Sequence, residues 1–489
     1  MSATAKIDIY GSYSVISGDF PKQAVREATS YPVVGAHFSD AYRRGIWDGR
    51  KHLFKSNANS FPTGLLSAVT HVLDVAEIPW SVEDHRKIPE PVNKTYDLIG
   101  VSMTGKYSYQ LEAAKTAIEK KQGVLRLATG AGKTELACAI TQYLGLPTLF
   151  LVTTVELLYQ AQSRFMKRLG LTEDEVGIIG DDHWSPGSWI TIATVATLER
   201  RLDTAECQDL LSNIDVLFVD ECHHLGSDTV FEVCALCPAY YRYGLSGTPM
   251  DRTDGANLRL IGAIGEVIVD IPNKVLMDLG ISARTSIIFT KVTKPVLPKK
   301  LPYSAAYKQG VTNNPHHLAL VVGWVKAFHE VGLSTLVLCE EISHGKAIDE
   351  ALWTATDGMF IPHQFIYGEE DSDVRRTALS DFAERKLPVL IASTIVDEGV
   401  DVPTVDALIL AGSKKSRIKT MQRLGRGLRG EKLIAVEFAN YCQDYLLRHS
   451  LTRYEDYKKE DCFPLYTSNP DVELVRKLWN GDSPKLETR

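Results

Sequence analysis

The sequence lacks the long apolar segments that membrane helices require. No apolar run approaches the roughly 20 residues needed to cross a bilayer, and we therefore expect no membrane partner. The first eight residues, MSATAKID, contain no apolar stretch of the kind found in secretory signals. We expect a cytoplasmic protein.

Cysteine is also scarce, with eight residues in a chain of 489. This number does not make the disulfide framework of a small secreted domain. Cys234 and Cys237 have the spacing of a zinc pair, and Cys222, His223 and His224 are near in sequence. A single C-x-x-C without a second pair is a weak zinc signal, so the pattern favours buried thiols.

An excess of positive charge is absent as well. The chain has 54 basic and 61 acidic residues and a net charge of −7. This balance excludes a protein coated in basic surface, but not one that binds nucleic acid in a local groove. Internal repeats and low-complexity tracts are also lacking, and the remaining composition is that of a globular chain of several domains.

What the sequence does contain is an alternation of short β-branched apolar runs with helical stretches. This alternation is typical of parallel sheets covered by helices, so we predict an α/β fold with two tandem parallel-sheet domains. The predicted strands are residues 124–128, 148–153, 189–194, 216–220 and 243–246 in the first domain, and 335–339, 364–367, 389–393, 407–411 and 433–438 in the second.

We predict four domains in the chain. A small α+β accessory domain covers residues 1–90, the two α/β domains cover 91–280 and 281–445, and a helical extension covers 446–489. The stretch from Arg43 to Lys55 holds five basic residues against one acid, with Trp47 among them. Basic residues interleaved with an aromatic suit phosphate contacts, although a solvated hairpin fits equally well. The candidate DNA contacts here are Arg43, Arg44, Arg50 and Lys51.

A stretch typical of a phosphate-binding loop lies at residues 127–134, with the sequence LATGAGKT. Its glycines let successive backbone N–H groups point into one concavity, while Lys133 reaches the β- and γ-phosphates and the Thr134 hydroxyl is available to Mg²⁺. Leu127 stands where the usual pattern has glycine, so the match is partial and a glycine-rich turn is the alternative. The candidate nucleotide-binding residues are Thr129, Gly130, Ala131, Gly132, Lys133 and Thr134.

Two adjacent carboxylates, Asp220 and Glu221, follow an apolar run. The carboxyl end of such a strand lies at the mouth of an α/β sheet, where ligands bind. We expect Asp220 to hold Mg²⁺ and Glu221 to orient or deprotonate the attacking water. After the next apolar strand, the small-residue turn containing Ser246 and Thr248 can relay the state of the nucleotide site.

The segment QRLGRGLR, at residues 422–429, carries two arginines three positions apart. On a helix Arg426 and Arg429 share a face and can aim at one anion. A guanidinium suits a γ-phosphate and its transition-state charge, although a solvated basic helix is the alternative.

The order of these segments resembles that of superfamily 2 helicases over about 320 residues. The loop that begins at Leu127 and the QRLGRGLR segment are similar to those of the XPB- and RecG-related branch, which includes the UvsW-like branched-DNA helicases of phages. Residues 43–50 and 61–65 also resemble the N-terminal domain of the UvsW-like proteins. The resemblance implies two RecA-like domains that use ATP and Mg²⁺.

The resemblance also implies roles for individual residues. Gln110, next to Tyr109, would read the adenine, and His223 and Gln422 would couple the two halves. Gly399 and Asp401 would line the nucleotide, with Arg426 and Arg429 as arginine fingers. The implied contacts to the DNA backbone are Thr153, Thr194 and Thr394.

The predicted function is therefore that of an ATP-dependent DNA helicase or translocase. We expect a monomer that acts on single-stranded or branched DNA, such as forks and Holliday junctions, in replication, recombination or repair, and in the host cytoplasm if a phage encodes it. Two alternatives remain open: the motor subunit of an ATP-dependent restriction nuclease, and an RNA helicase. Residues 1–90 and the last 45 residues contain no convincing carboxylate-lysine cluster of a nuclease.

Overall fold

The computed structural model describes residues 4–226, 228–249, 257–354, 360–393, 405–412 and 430–482. The chain divides into two compact units. The first comprises residues 1–128 and 132–271, and the second comprises residues 272–489 with residues 129–131. No helix within the described ranges has the length and apolar character needed to span a bilayer.

The N-terminal part of the first unit is a small α+β structure. A four-stranded sheet has the order β5-β2-β1-β6, in which only the β1–β6 pair is parallel, and β3 and β4 form a separate antiparallel pair. Ile7, Phe61 and Val69 are among its fully buried core residues. The elements are β1 (Ala5–Ile9), β2 (Tyr13–Ser17), α1 (Lys22–Ala28), β3 (Ser30–Pro32), α2 (Asp40–Arg43), β4 (Arg50–His52), β5 (Ser60–Pro62), α3 (Leu66–Val75) and β6 (Trp80–Asp84).

The rest of the first unit is an eight-stranded sheet with helices. Its order is β10-β9-β11-β8-β12-β13-β7-β14, and every pair except β9–β10 is parallel. The elements are α4 (Ser108–Lys120), β7 (Gln122–Leu127), α5 (Lys133–Leu144), β8 (Thr148–Val152), α6 (Val155–Leu169), β9 (Val176–Gly180), β10 (His183–Ser185), β11 (Ile190–Thr194), α7 (Val195–Glu199), α8 (Ala205–Ser212), β12 (Val216–Asp220), α9 (Asp228–Leu236), β13 (Tyr241–Ser246), α10 (Asn257–Ile264) and β14 (Val267–Ile271).

Local sequence explains where these elements begin and end. The central strands are continuous apolar runs because helices cover both faces of the sheet, and Val216, Leu217 and Phe218 are all fully buried. Helix α6 begins where the Thr154 side chain accepts a hydrogen bond from the backbone N–H of Leu157. It ends at Gly170, which has a φ of 70°.

The two parts of the first unit are in close contact. A Cβ atom added at Gly64 would lie 1.9 Å from the carbonyl oxygen of Ile261 in α10, so the backbones approach too closely for any other residue. Lys51 of β4 forms an ion pair with Asp228 at the start of α9, and Arg259 of α10 forms an ion pair with the same carboxylate. The small N-terminal structure is thus attached to helices α9 and α10.

The second unit contains a seven-stranded, fully parallel sheet with the order β17-β18-β16-β19-β20-β15-β21. The elements are α11 (Asn273–Asp278), β15 (Arg284–Val292), α12 (Tyr303–Tyr307), α13 (Pro315–Val331), β16 (Thr335–Leu338), α14 (Ile342–Thr354), β17 (His363–Ile366), α15 (Ser372–Ala383), β18 (Val389–Ala392), β19 (Ala407–Leu410), β20 (Lys432–Asn440), α16 (Asp444–Lys459), β21 (Leu465–Thr467) and α17 (Val472–Asn480).

The predicted fold class, two parallel α/β sheets after a small α+β structure, is confirmed. All ten predicted strands lie in the two large sheets. Sequence analysis did not predict the other five strands of these sheets, which are β9, β10, β14, β15 and β21. Of these, β9 has two glycines in five residues, and β21 has only three residues. Because β21 pairs with β15, the C-terminal segment contributes a strand as well as helices α16 and α17. The boundaries of the four predicted domains stay a prediction.

Candidate active site

Three of the predicted segments lie side by side at one edge of the first large sheet. Strands β12, β13 and β7 are neighbours and run parallel, with Asp220 opposite Leu245 and Ser246 opposite Arg126. Their carboxyl ends therefore lead into the Asp220–Glu221 pair, the turn after Ser246 and the glycine-rich loop. This is the edge of an open parallel sheet where ligands bind.

The glycine-rich loop joins β7 to the first turn of α5. Thr129, Gly130 and Ala131 lie in this connection, and Lys133 is the first residue of the helix. Gly132 has a φ of 82°, and a Cβ atom at this position would lie 2.3 Å from Nε2 of Gln110. The positive φ favours glycine there, and the Gln110 amide would have to shift to admit a larger residue. The N-terminus of α5, a helix of 12 residues, offers unpaired backbone N–H groups to an anion.

Lys133 and Glu221 form an ion pair at this edge, with each side chain 21% exposed. Burial lowers the pKa of Lys133, but the carboxylates of Glu221 and Asp220 outweigh burial and raise the pKa above its ordinary value. Burial by itself raises the pKa of Glu221, but Lys133 and His223 outweigh it and hold the pKa well below its usual range. Both groups are therefore charged at neutral pH.

A chain of polar contacts continues from Glu221 to the next strand. Nδ1 of His223 lies 3.3 Å from Oε2 of Glu221 and 3.1 Å from Oγ of Ser246. The backbone N–H of Thr248 donates to the same Ser246 hydroxyl at 3.2 Å. The buried side chain of His223 thus connects the carboxylate at the end of β12 with the turn that follows β13.

The backbone at Glu221 is unusual for a residue with a side chain. Its φ is 46°, in the left-handed region that costs a residue other than glycine roughly 1–2 kcal/mol. The N–H of Glu221 donates to Oδ1 of Asp220 at 3.0 Å. The ion pair with Lys133 and the contact with His223 hold the carboxylate in this position.

Asp220 and Thr134 fit a magnesium ion by their chemistry. Mg²⁺ prefers oxygen ligands, and these residues supply a carboxylate at the end of β12 and a hydroxyl in the first turn of α5. Burial raises the pKa of Asp220 to about 6, although Lys133 opposes the shift. The carboxyl group is therefore mainly ionised at neutral pH, the form that binds a cation.

The predicted adenine-reading residues lie at the start of α4. Gln110 is 5% exposed and its amide packs against Gly132. Nε2 of Gln110 lies 3.5 Å from the Tyr109 hydroxyl, and burial raises the pKa of Tyr109 to about 12. Gln110 is therefore brought to the glycine-rich loop, and Tyr109 lies next to Gln110.

Two predicted DNA contacts lie at neighbouring strand ends. Thr153 follows β8 and is half-buried, whereas Thr194 ends β11 and is 4% exposed. The Thr194 hydroxyl donates to the hydroxyl of Thr197 at 2.8 Å. The remaining predicted site residues, Thr394, Gly399, Asp401, Gln422, Arg426 and Arg429, lie outside the described residues.

The four basic candidates of the N-terminal part differ in their surroundings. Arg50 donates to Oγ and to the carbonyl oxygen of Ser30, both at 2.9 Å, and Lys51 pairs with Asp228. Arg43 donates to the carbonyl oxygen of Phe38 at 2.6 Å but keeps 61% of its side chain exposed. Arg44 is exposed, and it forms no ion pair within the described part of the chain. Arg43 and Arg44 are thus more available for contacts with DNA phosphates than Arg50 and Lys51 are.

The cysteines favour the thiol interpretation over zinc. Cys234 and Cys237 are fully buried, and burial raises the pKa of Cys234 to about 12. The buried guanidinium of Arg242 donates to the carbonyl oxygens of both cysteines, at 2.6 Å each. Sequence analysis missed this structural role of Arg242, which lies within a strand and has no local pattern that marks it.

Comparisons with known proteins agree with this geometry. Residues 105–251 match the family model described as "Type III restriction enzyme, res subunit", and residues 320–431 match "Helicase conserved C-terminal domain". The two models together cover more than half of the chain.

Individual relatives are more distant. The chain is 28% identical to the DNA 3'-5' translocase XPB2 of Sulfurisphaera tokodaii, over 66% of this chain and 78% of that protein. It is 23% identical to the ATP-dependent DNA helicase uvsW of Enterobacteria phage T4, over 89% of this chain and 93% of that protein. The structure of S. cerevisiae Dbp5 bound to RNA and ADP BeF3 matches with a TM-score of 0.53 at 13% identity, over 76% of this chain and 93% of that one. At this identity the match shows the fold alone.

The order of the motifs, the two parallel sheets and both family models lead to one conclusion. The chain belongs to the superfamily 2 helicases and is an ATP-dependent helicase.

Proposed function

We propose that this helicase is an ATP-driven DNA translocase that acts on branched DNA, such as forks and Holliday junctions, in replication, recombination or repair. The observation that carries the ATP-driven part of the proposal is the chain of contacts from Lys133 through Glu221 and His223 to Ser246. Such a chain connects Lys133, which would hold the γ-phosphate, with the turn that follows another strand. Loss of that phosphate would then change the contacts of the turn.

Each side chain has a distinct role in this proposal. Lys133 and the N-terminus of α5 bind the ATP phosphates, and Glu221 accepts a proton from the attacking water or orients it. Gln110 recognises the adenine beside Gly132. A magnesium ion held by Asp220 and Thr134 would neutralise phosphate charge. Gly399, Asp401, Arg426 and Arg429 keep their proposed roles at the nucleotide, and Gln422 keeps its proposed role in coupling the two halves.

The DNA assignment rests on several separate features. Thr153 and Thr194 lie at the ends of adjacent strands, β8 and β11, where a sugar-phosphate backbone can be contacted. The exposed Arg43 and Arg44 offer phosphate contacts in the N-terminal part. Both relatives reported above carry DNA in their names, and one is named as a 3'-5' translocase, so we extend the proposal to that polarity.

The test is ATP hydrolysis measured in parallel with single-stranded DNA, duplex, fork, Holliday junction and RNA. We expect the fork or the junction to stimulate hydrolysis most, with Lys133→Ala as the inactive control. Greater stimulation by RNA than by any DNA would overturn the DNA assignment. Equal stimulation by single strand and fork would remove the branched-DNA part and leave the motor.

A second candidate is the motor of a restriction nuclease, which the description of the first matching family model favours. Incubation with circular plasmid, Mg²⁺ and ATP distinguishes the two, since a nuclease linearises the plasmid and a helicase leaves it closed. The Lys133→Ala variant controls for a contaminating nuclease, whose cleavage would not depend on this residue.

A further inference from the structure

The most unusual surface of the first unit is the loop of residues 33–49, which joins β3 to β4. Five large hydrophobic side chains in the described residues are more than 70% exposed, and three of them lie on this loop. They are Val34 at 74%, Phe38 at 72% and Ile46 at 74%. Three such side chains within one segment of 17 residues favour an interaction site, whereas single exposed apolar side chains are normal on protein surfaces.

Several contacts fix the loop in an ordered conformation. At its base, the N–H of Val33 donates to the carbonyl oxygen of Gly49 at 2.8 Å, and the Tyr42 ring packs on Gly49. The N–H of Ile46 donates to the carbonyl oxygen of Ala41 at 2.9 Å. Because these contacts hold the loop, the exposure of the three apolar residues is a property of its fold.

The loop is also attached to the rest of the first unit through ion pairs. Directly after it, Lys51 pairs with Asp228 at the start of α9, and Arg259 of α10 pairs with the same carboxylate. Helix α9 follows the Asp220–Glu221 segment, and α10 follows the segment that contains Ser246 and Thr248. The loop is therefore attached to the helices that follow two parts of the ATPase site.

The charges on the loop indicate the kind of partner that it binds. Arg43 is 61% exposed and Arg44 is exposed beside it, while the carboxylate of Asp48 lies 2.6 Å from Nε2 of His52 and 3.7 Å from Nη2 of Arg26. The remaining acid, Asp40, is 4.0 Å from Arg43. Asp40 is 87% exposed and partly neutralises Arg43, so Arg44 is the positive charge of the loop that forms no ion pair within the described residues.

We propose that the loop at residues 33–49 is the element that contacts unpaired bases at a DNA branch point. Phe38 stacks on a base that the branch exposes, Val34 and Ile46 cover its apolar surroundings, and Arg43 and Arg44 contact the adjoining phosphates. An intact duplex hides the faces of its bases and therefore offers no stacking surface to Phe38. An unpaired base, by contrast, offers a face to an aromatic ring. This inference rests on the proposed function and names the part of the DNA that the N-terminal surface contacts.

The experiment uses the full chain and a fork that carries 2-aminopurine at the first unpaired position. Phe38→Ala should weaken fork binding by about 5- to 150-fold, the range for one lost base–aromatic stack, and should abolish the change in 2-aminopurine fluorescence. Phe38→Trp should restore both. Blunt duplex binding should not change, because an intact duplex hides the faces of its bases.

The matched control is Val75→Ala, which removes a side chain that is 72% exposed in the same part of the chain but off the loop. The inference is overturned if Phe38→Ala and Val75→Ala give the same fork affinity and fluorescence, or if Phe38→Ala alters only self-association of the protein. A wild-type protein without DNA-stimulated hydrolysis would instead refute the proposed function. The two failures are therefore distinguishable.

Discussion

Glu221 is the residue on which most contacts of the ATPase site converge. It pairs with Lys133, contacts His223 and has a backbone conformation that is unfavourable for a side chain. Its low pKa keeps it ionised, which favours a role in orienting water over storing a proton. The carboxylate charge is therefore the property to remove.

Glu221→Gln keeps the shape of the side chain and removes this charge. We expect ATP to bind while turnover falls by about 100-fold or more, the effect expected when the carboxylate that positions the attacking water is lost. A fluorescent ATP analogue measures binding, and phosphate release measures turnover. Glu112→Gln, on the exposed face of α4, is the control and should change neither. Turnover near the wild-type rate would remove Glu221 from catalysis.

Arg50 and Arg44 are both basic candidates, yet the structure gives them different roles. Arg50 ties β4 to β3 through two hydrogen bonds to Ser30. Arg50→Ala should therefore lower the free energy of unfolding by about 1.5–3 kcal/mol, as expected for hydrogen bonds of a charged group. Arg44→Ala should stay within about 0.5 kcal/mol. Urea denaturation measures both, and equal stabilities would contradict the structural role of Arg50.

At the residue scale, sequence predicts chemistry better than partners. The spacing of Lys133, Thr134, Asp220 and Glu221 predicts a nucleotide site because the loop and the strand end carry local patterns. The partners of the basic cluster have no local pattern: Ser30 is 20 residues from Arg50, and Asp228 is 177 residues from Lys51. Only the fold brings these pairs together. The assignment of every site residue stays a prediction.

At the scale of elements, the strands were the most predictable feature. A strand buried on both faces must be mainly apolar, as in β12 and β16, so each appears as a short apolar run. Short or glycine-containing strands such as β9 and β21 lack this signal. Their places depend on pairing with distant strands, which no local pattern encodes.

Helix α14 carries a buried ionisable group that makes stability depend on pH. His344 is 1% exposed, its ring centroid lies 5.6 Å from that of His317, and burial lowers its pKa to about 4. The unfolded chain binds a proton near pH 6.5, whereas the folded chain does so only near pH 4. Stability is therefore full above pH 6.5 and is lost as the pH falls from 6.5 towards 4.

The substitution His344→Leu should remove this loss of stability at low pH. At pH 5 the wild-type protein should have lost about 2 kcal/mol through this residue, and the variant should lose correspondingly less between pH 7.5 and pH 5. Urea denaturation at the two pH values measures the difference, and titrating groups other than the neighbouring His317 cancel in the comparison. An exposed histidine, His183, replaced by leucine serves as the control. Identical pH dependence in wild type and His344→Leu would contradict the prediction.

At the scale of the whole molecule, the net charge of −7 provides no general attraction to DNA. Binding must therefore come from local contacts, and the exposed arginines of the loop at residues 33–49 are the strongest candidates in the first unit. Salt dependence distinguishes local contacts from net charge, because each lost phosphate contact lowers the slope of log K against log [salt] by about 0.9.

The comparison needs two double variants with the same net charge. Arg43→Ala with Arg44→Ala removes two charges from the loop, and Lys115→Ala with Arg376→Ala removes two exposed charges elsewhere, so both proteins carry two fewer positive charges. If the loop contacts phosphates, the first double variant should flatten the slope for junction binding by up to about 1.8, and the second should leave it near the wild-type value. Hydrolysis stimulated by single strands should survive in both, because Lys133 and Glu221 are unchanged. Equal slopes in the two variants would assign the effect to net charge, and the loop would then have no direct part in binding the junction.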